Sequence, residues 1–185
     1  MCREGGEVTT TRTIPRAPII LGQIALIPLT QGRVAIVDAA DAYGVAAVRW
    51  YAQQNVTRYN GRVYKGRWYA CRGGGGKLAL MHRELCASPD EVDHINGNGL
   101  DNRRANLRPA THAQNLANRT NGRNRSGVHG VSWSTAERKW HASIQADGRE
   151  YNLGNFSTIE EATQVRDAAA IRLHGEFARL NGPRP

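Results

Sequence analysis

EVDHINGNGLDNRRANLRPATHAQN, residues 91–115, decides how this chain is read. Glu91-Val-Asp93-His94-Ile95 reads as a short strand, and Asn96-Gly97-Asn98-Gly99 is a run of turn formers that must end it. A second short extended piece begins at Asn106-Leu107-Arg108 and stops at Pro109. Thr111-His112-Ala113-Gln114 is a capping box, with Thr111 as N-cap and Gln114 reaching back. A helix therefore starts here and carries Asn115 in its second turn. The order is strand, long loop, strand, helix, with Asp93 and His94 on the first strand.

These side chains suggest a chemistry. Asp and Asn offer hard oxygens, the ligand set of Mg2+, Mn2+ or Ca2+ rather than zinc. Histidine, with a free pKa of about 6.5, is suited to take a proton from water at neutral pH. A hard cation, a histidine base and surrounding arginines together describe phosphodiester hydrolysis. One difficulty is stereochemical: neighbours on a regular strand face opposite ways, so Asp93 and His94 serve one phosphate only at a strand end or distortion.

Outward from this stretch, the charge is uneven. The 185 residues carry a formal charge of +9. Residues 58–83 hold seven basic side chains and no acid, and residues 101–125 hold six arginines and one acid. Residues 127–181 are near neutral, with six basic and seven acidic. The excess therefore flanks the 91–115 stretch and fits a polyanion as partner. Upstream, 24–29 and 33–38 read as a strand pair around Thr30-Gln31-Gly32, and 38–48 as a short helix capped by Asp38. Residues 49–53 and 67–72 are strand candidates separated by turns at Asn60-Gly61 and Lys65-Gly66. Gly73 to Gly76 reads as a flexible loop, without the Gly-Lys-Ser/Thr ending of a phosphate cradle.

Downstream, 128–133, 139–145 and 151–156 read as three strands, the last two joined at Asp147-Gly148. Trp140, Ala142 and Ile144 alternate with Lys139, His141, Ser143 and Gln145, giving one apolar and one polar face. Thr158-Ile-Glu-Glu161 opens a helix that stops at Gly175. Its Ala162, Val165, Ala169 and Leu173 form a small-residue stripe that lets it lie close on the sheet.

Asp93-His94, Asn106 and Asn115, with His82-Arg83, Val92 to Asn98 and the Asp101-Asn102-Arg103…Asn106-Leu107 string, resemble the HNH homing-endonuclease motif in its Asp-His…Asn…Asn form, as in phage-type intron endonucleases. The resemblance implies a ββα-metal core over 78–121. In it Asp93 and Asn115 are metal ligands and His94 is the general base, while Asn106 pins the long loop. The metal is expected to be Mg2+, with Mn2+ as the alternative, and no structural zinc is expected. His82, His112 and Arg119 are nearby candidates for phosphate contact.

Gly130-Val131-Ser132-Trp133, Lys139 to Ile144, Leu153 to Phe156 and His174 to Asn181 resemble the Apetala-two/ethylene-response-factor DNA-binding domain, over 127–182. That resemblance implies DNA contacts from Ser132, Arg138, Lys139, His141, Ser143, Gln145 and Asn152. Ser132, Gln145 and Glu150 stand where plant members carry arginine.

The expected molecule is thus an α+β protein. It has a flexible tail (1–18), a β-rich basic and aromatic segment (19–77), the nuclease core (78–121), a linker (122–126) and a three-stranded antiparallel sheet with one helix (127–182). Its partner is double-stranded DNA, cut by a monomer as a nick unless two chains pair across the duplex. The alternative is a DNA-binding regulator with an inactive core. The longest apolar stretch, 19–29, is broken by Gly22, Gln23 and Pro28, which excludes a membrane helix. The N-terminus lacks an export pattern, so a cytoplasmic setting is expected, that of the host cell for a phage protein. Three cysteines without a C-x-x-C pair exclude a disulfide scaffold.

Overall fold

In the computed structural model the described residues are 17–74, 77–118 and 126–182. The expected tail (all but its last two residues), Arg119 and the expected linker up to residue 125 lie outside them. Three strands, β1 (Ile19–Leu21), β2 (Ile24–Pro28) and β3 (Val34–Asp38), form an antiparallel sheet in that order. The turn between β2 and β3 has Gln31 and Gly32 both at positive φ, 59° and 67°, the geometry whose twist matches a tight hairpin. Ala25, Ile27, Ala35 and Val37 alternate inward and are buried. A 3-10 turn (Ala39–Asp41) and a short helix, α1 (Ala42–Ala46), follow. Asp38 does not cap this helix as expected. Its Oδ2 instead accepts the backbone N–H of Arg104 at 2.8 Å, a bond across 66 residues that sequence order hides.

A second sheet joins β4 (Tyr51–Tyr59), β5 (Arg62–Gly74) and β6 (Lys77–Leu80). Asn60-Gly61 is the only reversal between β4 and β5. Lys65-Gly66, expected as a turn, lies inside β5, where pairing slips between Gln54–Trp68 and Val56–Lys65 and the extra residue makes a bulge. Gly73 and Gly74, expected in a loop, pair with Leu78 and Lys77 and so extend β5. Neither β6 nor the next helix, α2 (Met81–Cys86), was expected from the sequence.

The central stretch forms β7 (Glu91–His94), β8 (Leu107–Ala110) and α3 (His112–Ala117), with β7 and β8 antiparallel. Asn106 belongs to a 3-10 turn (Arg104–Asn106) rather than to the strand. The capping box forms as read: Thr111 accepts from Gln114 N, and Gln114 accepts from Thr111 N at 2.8 Å. Loop residues 100–102 bond along β3, with Ile36 N donating to Leu100 O and Asn102 N to Ile36 O. One buried cluster runs from Ala25 through Trp50, Ala70 and Met81 to Leu107, so the first sheets and β7–β8 share packing. The buried Trp50 indole N–H donates to Val45 O at 2.8 Å, leaving no orphan there.

The last sheet has the order β11-β10-β9, from β9 (Val131–Ser134), β10 (Lys139–Ala146) and β11 (Arg149–Phe156). The β10–β11 turn is at Asp147-Gly148, with φ of 51° and 73°. Helix α4 (Ile159–His174) starts under Thr158, which accepts from Glu161 N, and packs on this sheet through Ala162, Ala169 and Ala170. Val165, expected in the buried stripe, is exposed; the next residue, Arg166, is buried instead. Arg166 Nη1 donates to Arg179 O and to Asp167 Oδ1, while its buried Nε has no partner among the described residues. The chain is thus mixed α+β, with several small antiparallel sheets and few helices. Among the described residues, no helix is long and apolar enough to cross a membrane.

Candidate functional site

A cavity of about 210 Å³ is lined by β4, β5, β6, α2, β7 and α3. Asp93 and His94 both border it, and both are buried. The stereochemical difficulty is met because His94 is the last residue of β7, where the strand gives way to the turn closed by Gly97 N to His94 O. Asn115 reaches the same cavity from α3, and His82 from α2. His82 stands edge-on to His94 with ring centroids 4.7 Å apart, and Tyr69 packs beside both rings. His112 is not brought in: its Nδ1 lies 2.9 Å from Glu91 Oε1 on the outer surface. Glu91 also accepts from Asn115 Nδ2 at 2.8 Å, and these two bonds hold its carboxyl below the usual range.

Two amides set the site, and neither was singled out from the sequence. Asn118 Nδ2 donates to both carboxylate oxygens of Asp93 at 2.8 Å and to His94 O at 2.9 Å. Three acceptors around one atom require it to be the amide nitrogen. Asn118 lies three residues after Asn115, so helical spacing could have found it. Asn102 Nδ2 donates to Leu100 O, which turns Asn102 Oδ1 toward His94 Nε2 at 3.3 Å. An amide oxygen only accepts, so this contact keeps the proton on Nε2 and the lone pair on Nδ1. Burial pushes the His94 pKa below its usual value, against the pull of Asn102 and Asp93. The ring is therefore neutral and basic at Nδ1 at physiological pH.

Asn106 holds the loop itself. Its Oδ1 accepts from Asn96 N, and its Nδ2 donates to Asn96 Oδ1 and to Asp101 O, at 2.7 to 3.0 Å. Asp93 pairs across the strands with Arg108, whose Nε and Nη2 donate to Oδ2 at 3.1 and 2.8 Å. Arg108 Nη1 also donates to Glu176 O, and its guanidinium lies 3.8 Å over the Phe177 ring. A methyl on Gly97 would lie 3.2 Å from Arg67 Nη2 and 3.5 Å from Arg179 Nη1, so two cations border the loop. Arg67 and Arg83 line the cavity as well, which favours an anionic ligand there.

No cluster of three or more His, Cys, Asp or Glu able to hold a metal ion occurs among the described residues. The donors of this cavity are oxygens instead. Asp93 Oδ1 retains a lone pair beyond Asn118, and Asn115 has its amide oxygen left once Nδ2 has gone to Glu91. Few protein oxygens, with room for water and phosphate oxygens, fit a hard cation such as Mg2+.

His82 allows a stability test. Burial, then the neighbouring His94 and Arg83, push its pKa down to about 3, and its Nδ1 is buried without a partner. In the unfolded chain it protonates below about pH 6.5. Its contribution to stability is then complete above that value and is lost as pH falls toward about 3. Between pH 7 and pH 5 the wild type should lose on the order of 2 kcal/mol more than His82→Phe. Parallel denaturation curves for the two proteins would assign the acid sensitivity elsewhere.

A family model described as HNH endonuclease matches residues 56–117. A protein of Acanthamoeba polyphaga mimivirus named "Uncharacterized HNH endonuclease L560" is 35% identical over 133 residues, 64% of this chain and 68% of the relative. "Protein 3.8" of Escherichia phage T7 is 35% identical over 90 residues, 48% of this chain and 74% of the relative. No solved structure matches the chain significantly.

Proposed function

The chain belongs to the HNH endonuclease family and is a DNA-cleaving hydrolase, and from that premise we propose a site-selective, homing-type nickase that uses His94 as general base and Asp93 and Asn115 as ligands of Mg2+. The observation that carries this reading is His94 itself. It is buried at the end of β7, fixed in one tautomer by Asn102, in the cavity that Asp93 and Asn115 border. Members of the family use a divalent metal; when bound, it supplies charge neutralisation on the phosphoryl oxygens and the leaving 3′ oxygen.

The chain's own residues do the rest. Arg67 and Arg83 draw the scissile phosphate into the cavity. His94 Nδ1 takes the proton of a water as its oxygen attacks phosphorus, and the bond to the 3′ oxygen breaks. Nε2–H, held on Asn102, then stabilises the imidazolium that has formed. Asn118 and Arg108 keep the Asp93 carboxylate aimed at one place. His82, neutral and beside His94, packs the base in position. One such site per chain cuts one strand. With Mg2+, supercoiled plasmid should convert to the open circle, and His94→Ala should stop that conversion.

In the same reading the C-terminal sheet selects the sequence. Register pairs His141 with Ser132 and Asn155, Ser143 with Asn152, and Gln145 with Glu150, so these polar side chains share the face opposite α4. Arg138 and Lys139 stand where β10 begins, and a sheet of this size suits a major groove. Near-neutral charge makes the module a weak phosphate binder and leaves base-edge contacts to select. The double variant Ser143→Ala, Asn152→Ala should lower preference among plasmid sites about thirtyfold or more, at about 1–3 kcal/mol for each of the two lost base contacts. Its rate on non-specific DNA should stay within about twofold. An unchanged cleavage pattern would refute the assignment.

A further inference from the structure

We propose that the free end of the β4–β5 hairpin is an arm that enters a groove of duplex DNA and extends the floor of the catalytic cavity along the substrate; this rests on the DNA-cleaving reading above. The arm leaves the core early. Ala52 and Ala70 are buried, whereas Val56, Tyr59 and Val63 are each more than half exposed. β6 pairs only with residues 71–74, so from Val56–Lys65 to Tyr59–Arg62 the hairpin is a two-stranded ribbon with no third strand. Such a ribbon is marginally stable alone in water, which suits a surface completed by a partner.

Charge and register identify that partner. The ribbon carries Arg58, Arg62 and Lys65, and no Asp or Glu occurs from residue 42 to residue 83. Gln53, Asn55, Arg67 and Tyr69 line the cavity with His94. Alternation along β4 puts Thr57 and Tyr59 on that same face, and register adds their partners Tyr64 and Arg62. The bulge does not break this continuity because the extra residue is on β5, at Gly66, where a side chain would crowd Asn55 O at 3.2 Å. One basic and aromatic face therefore runs from the cavity to the Asn60-Gly61 tip, about 20 Å at ~3.3 Å per residue. A two-stranded ribbon is the width that a major groove admits. A polyanion already seated in the cavity must pass along this face.

The test uses the full chain carrying His94→Ala, so that DNA is bound and not consumed. Binding of a fluorescent 30-base-pair duplex is measured against salt, with and without Arg62→Ala, the ribbon's basic side chain on the cavity face; Arg58 and Lys65 share the far face with Val56. The slope of log affinity against log salt should fall by about one, at about 0.9 per phosphate contact, and affinity in 0.1 M salt by about fivefold or more. Two single variants test the face: Thr57→Glu, on the cavity side, should weaken binding more than Val56→Glu, on the far side. Both positions are exposed, and melting temperature checks that each variant folds. An unchanged slope overturns the proposal, as does equal weakening by the two glutamates. A slope change on single-stranded RNA but not on duplex, or loss of a dimer in light scattering at unchanged DNA affinity, also overturns it. Nicking of plasmid by the protein with His94 intact is read in parallel. Nicking with an unchanged slope removes the arm alone, whereas a changed slope without nicking removes the nuclease reading and leaves a DNA-binding arm.

Discussion

Replacing His94 with alanine is expected to lower plasmid nicking by a factor of 10² to 10⁴, the range a positioned general base supplies. The loss should appear in the turnover rate with little change in DNA affinity, because His94 is buried and the basic side chains that grip the backbone are untouched. Undiminished cleavage by this variant would sink the mechanism. Asn102 gives a companion result. Asn102→Leu removes the acceptor at Nε2, lets the ring take the other tautomer and should slow nicking by about ten- to a hundredfold. Asn102 is buried and its amide also bonds Leu100 O, so the leucine variant loses stability too. Asn102→Asp separates the two effects: it still accepts from Nε2–H and should restore most of the rate. Its charge favours the protonated ring, so the acid limb of the rate profile should move to higher pH. Equal slowing by Leu and Asp would make Asn102 a packing residue only.

The second large effect is expected at Gly99. A Cβ there would lie 2.3 Å from Trp68 O and 2.8 Å from two ring atoms of Tyr69. A backbone carbonyl and a ring wedged beside His94 do not rotate away, so loop and β5 must part. Overpacking of this kind costs about 1–3 kcal/mol or more, which at this chain length is a fall in Tm of roughly 5–10 °C. Activity should fall as well, since the displaced loop carries Asn102 and the displaced wall carries Tyr69. Gly44→Ala is the control: it is helical, has nothing within 4 Å of a Cβ, and should be neutral or slightly stabilising. Equal melting of both alanine variants would contradict the close approach.

What the sequence disclosed was local. The Thr111–Gln114 box, the Asn60-Gly61 and Asp147-Gly148 turns and the polar–apolar alternation of β10 were all legible, because each is fixed by neighbours within a few residues. Lys65-Gly66 was misread because glycine serves a bulge as readily as a turn, and only pairing with β4 tells which. Helix α2 left no signal: it spans six residues, has Leu80 at its N-cap without a side-chain cap, and ends on a left-handed Ala87. The spacing of Asp93, His94 and Asn115 gave three of the cavity residues to look for, and Asn106 the residue that holds the loop beside them. It could not give Asn102 its orientation, which depends on β3 binding the loop from 66 residues upstream. Nor could it give Arg108 its second set of partners.

Arg108 has a practical consequence for chimeras. Its guanidinium is a plug in a two-sided socket, Asp93 on one side and the Glu176 carbonyl with the Phe177 ring on the other. The β7–β8 region and the C-terminal sheet therefore share a side chain as well as a peptide chain. A foreign module grafted after residue 118 inherits half a socket, and fits without disturbing Asp93 only if it brings its own carbonyl and flat apolar ring to that spot.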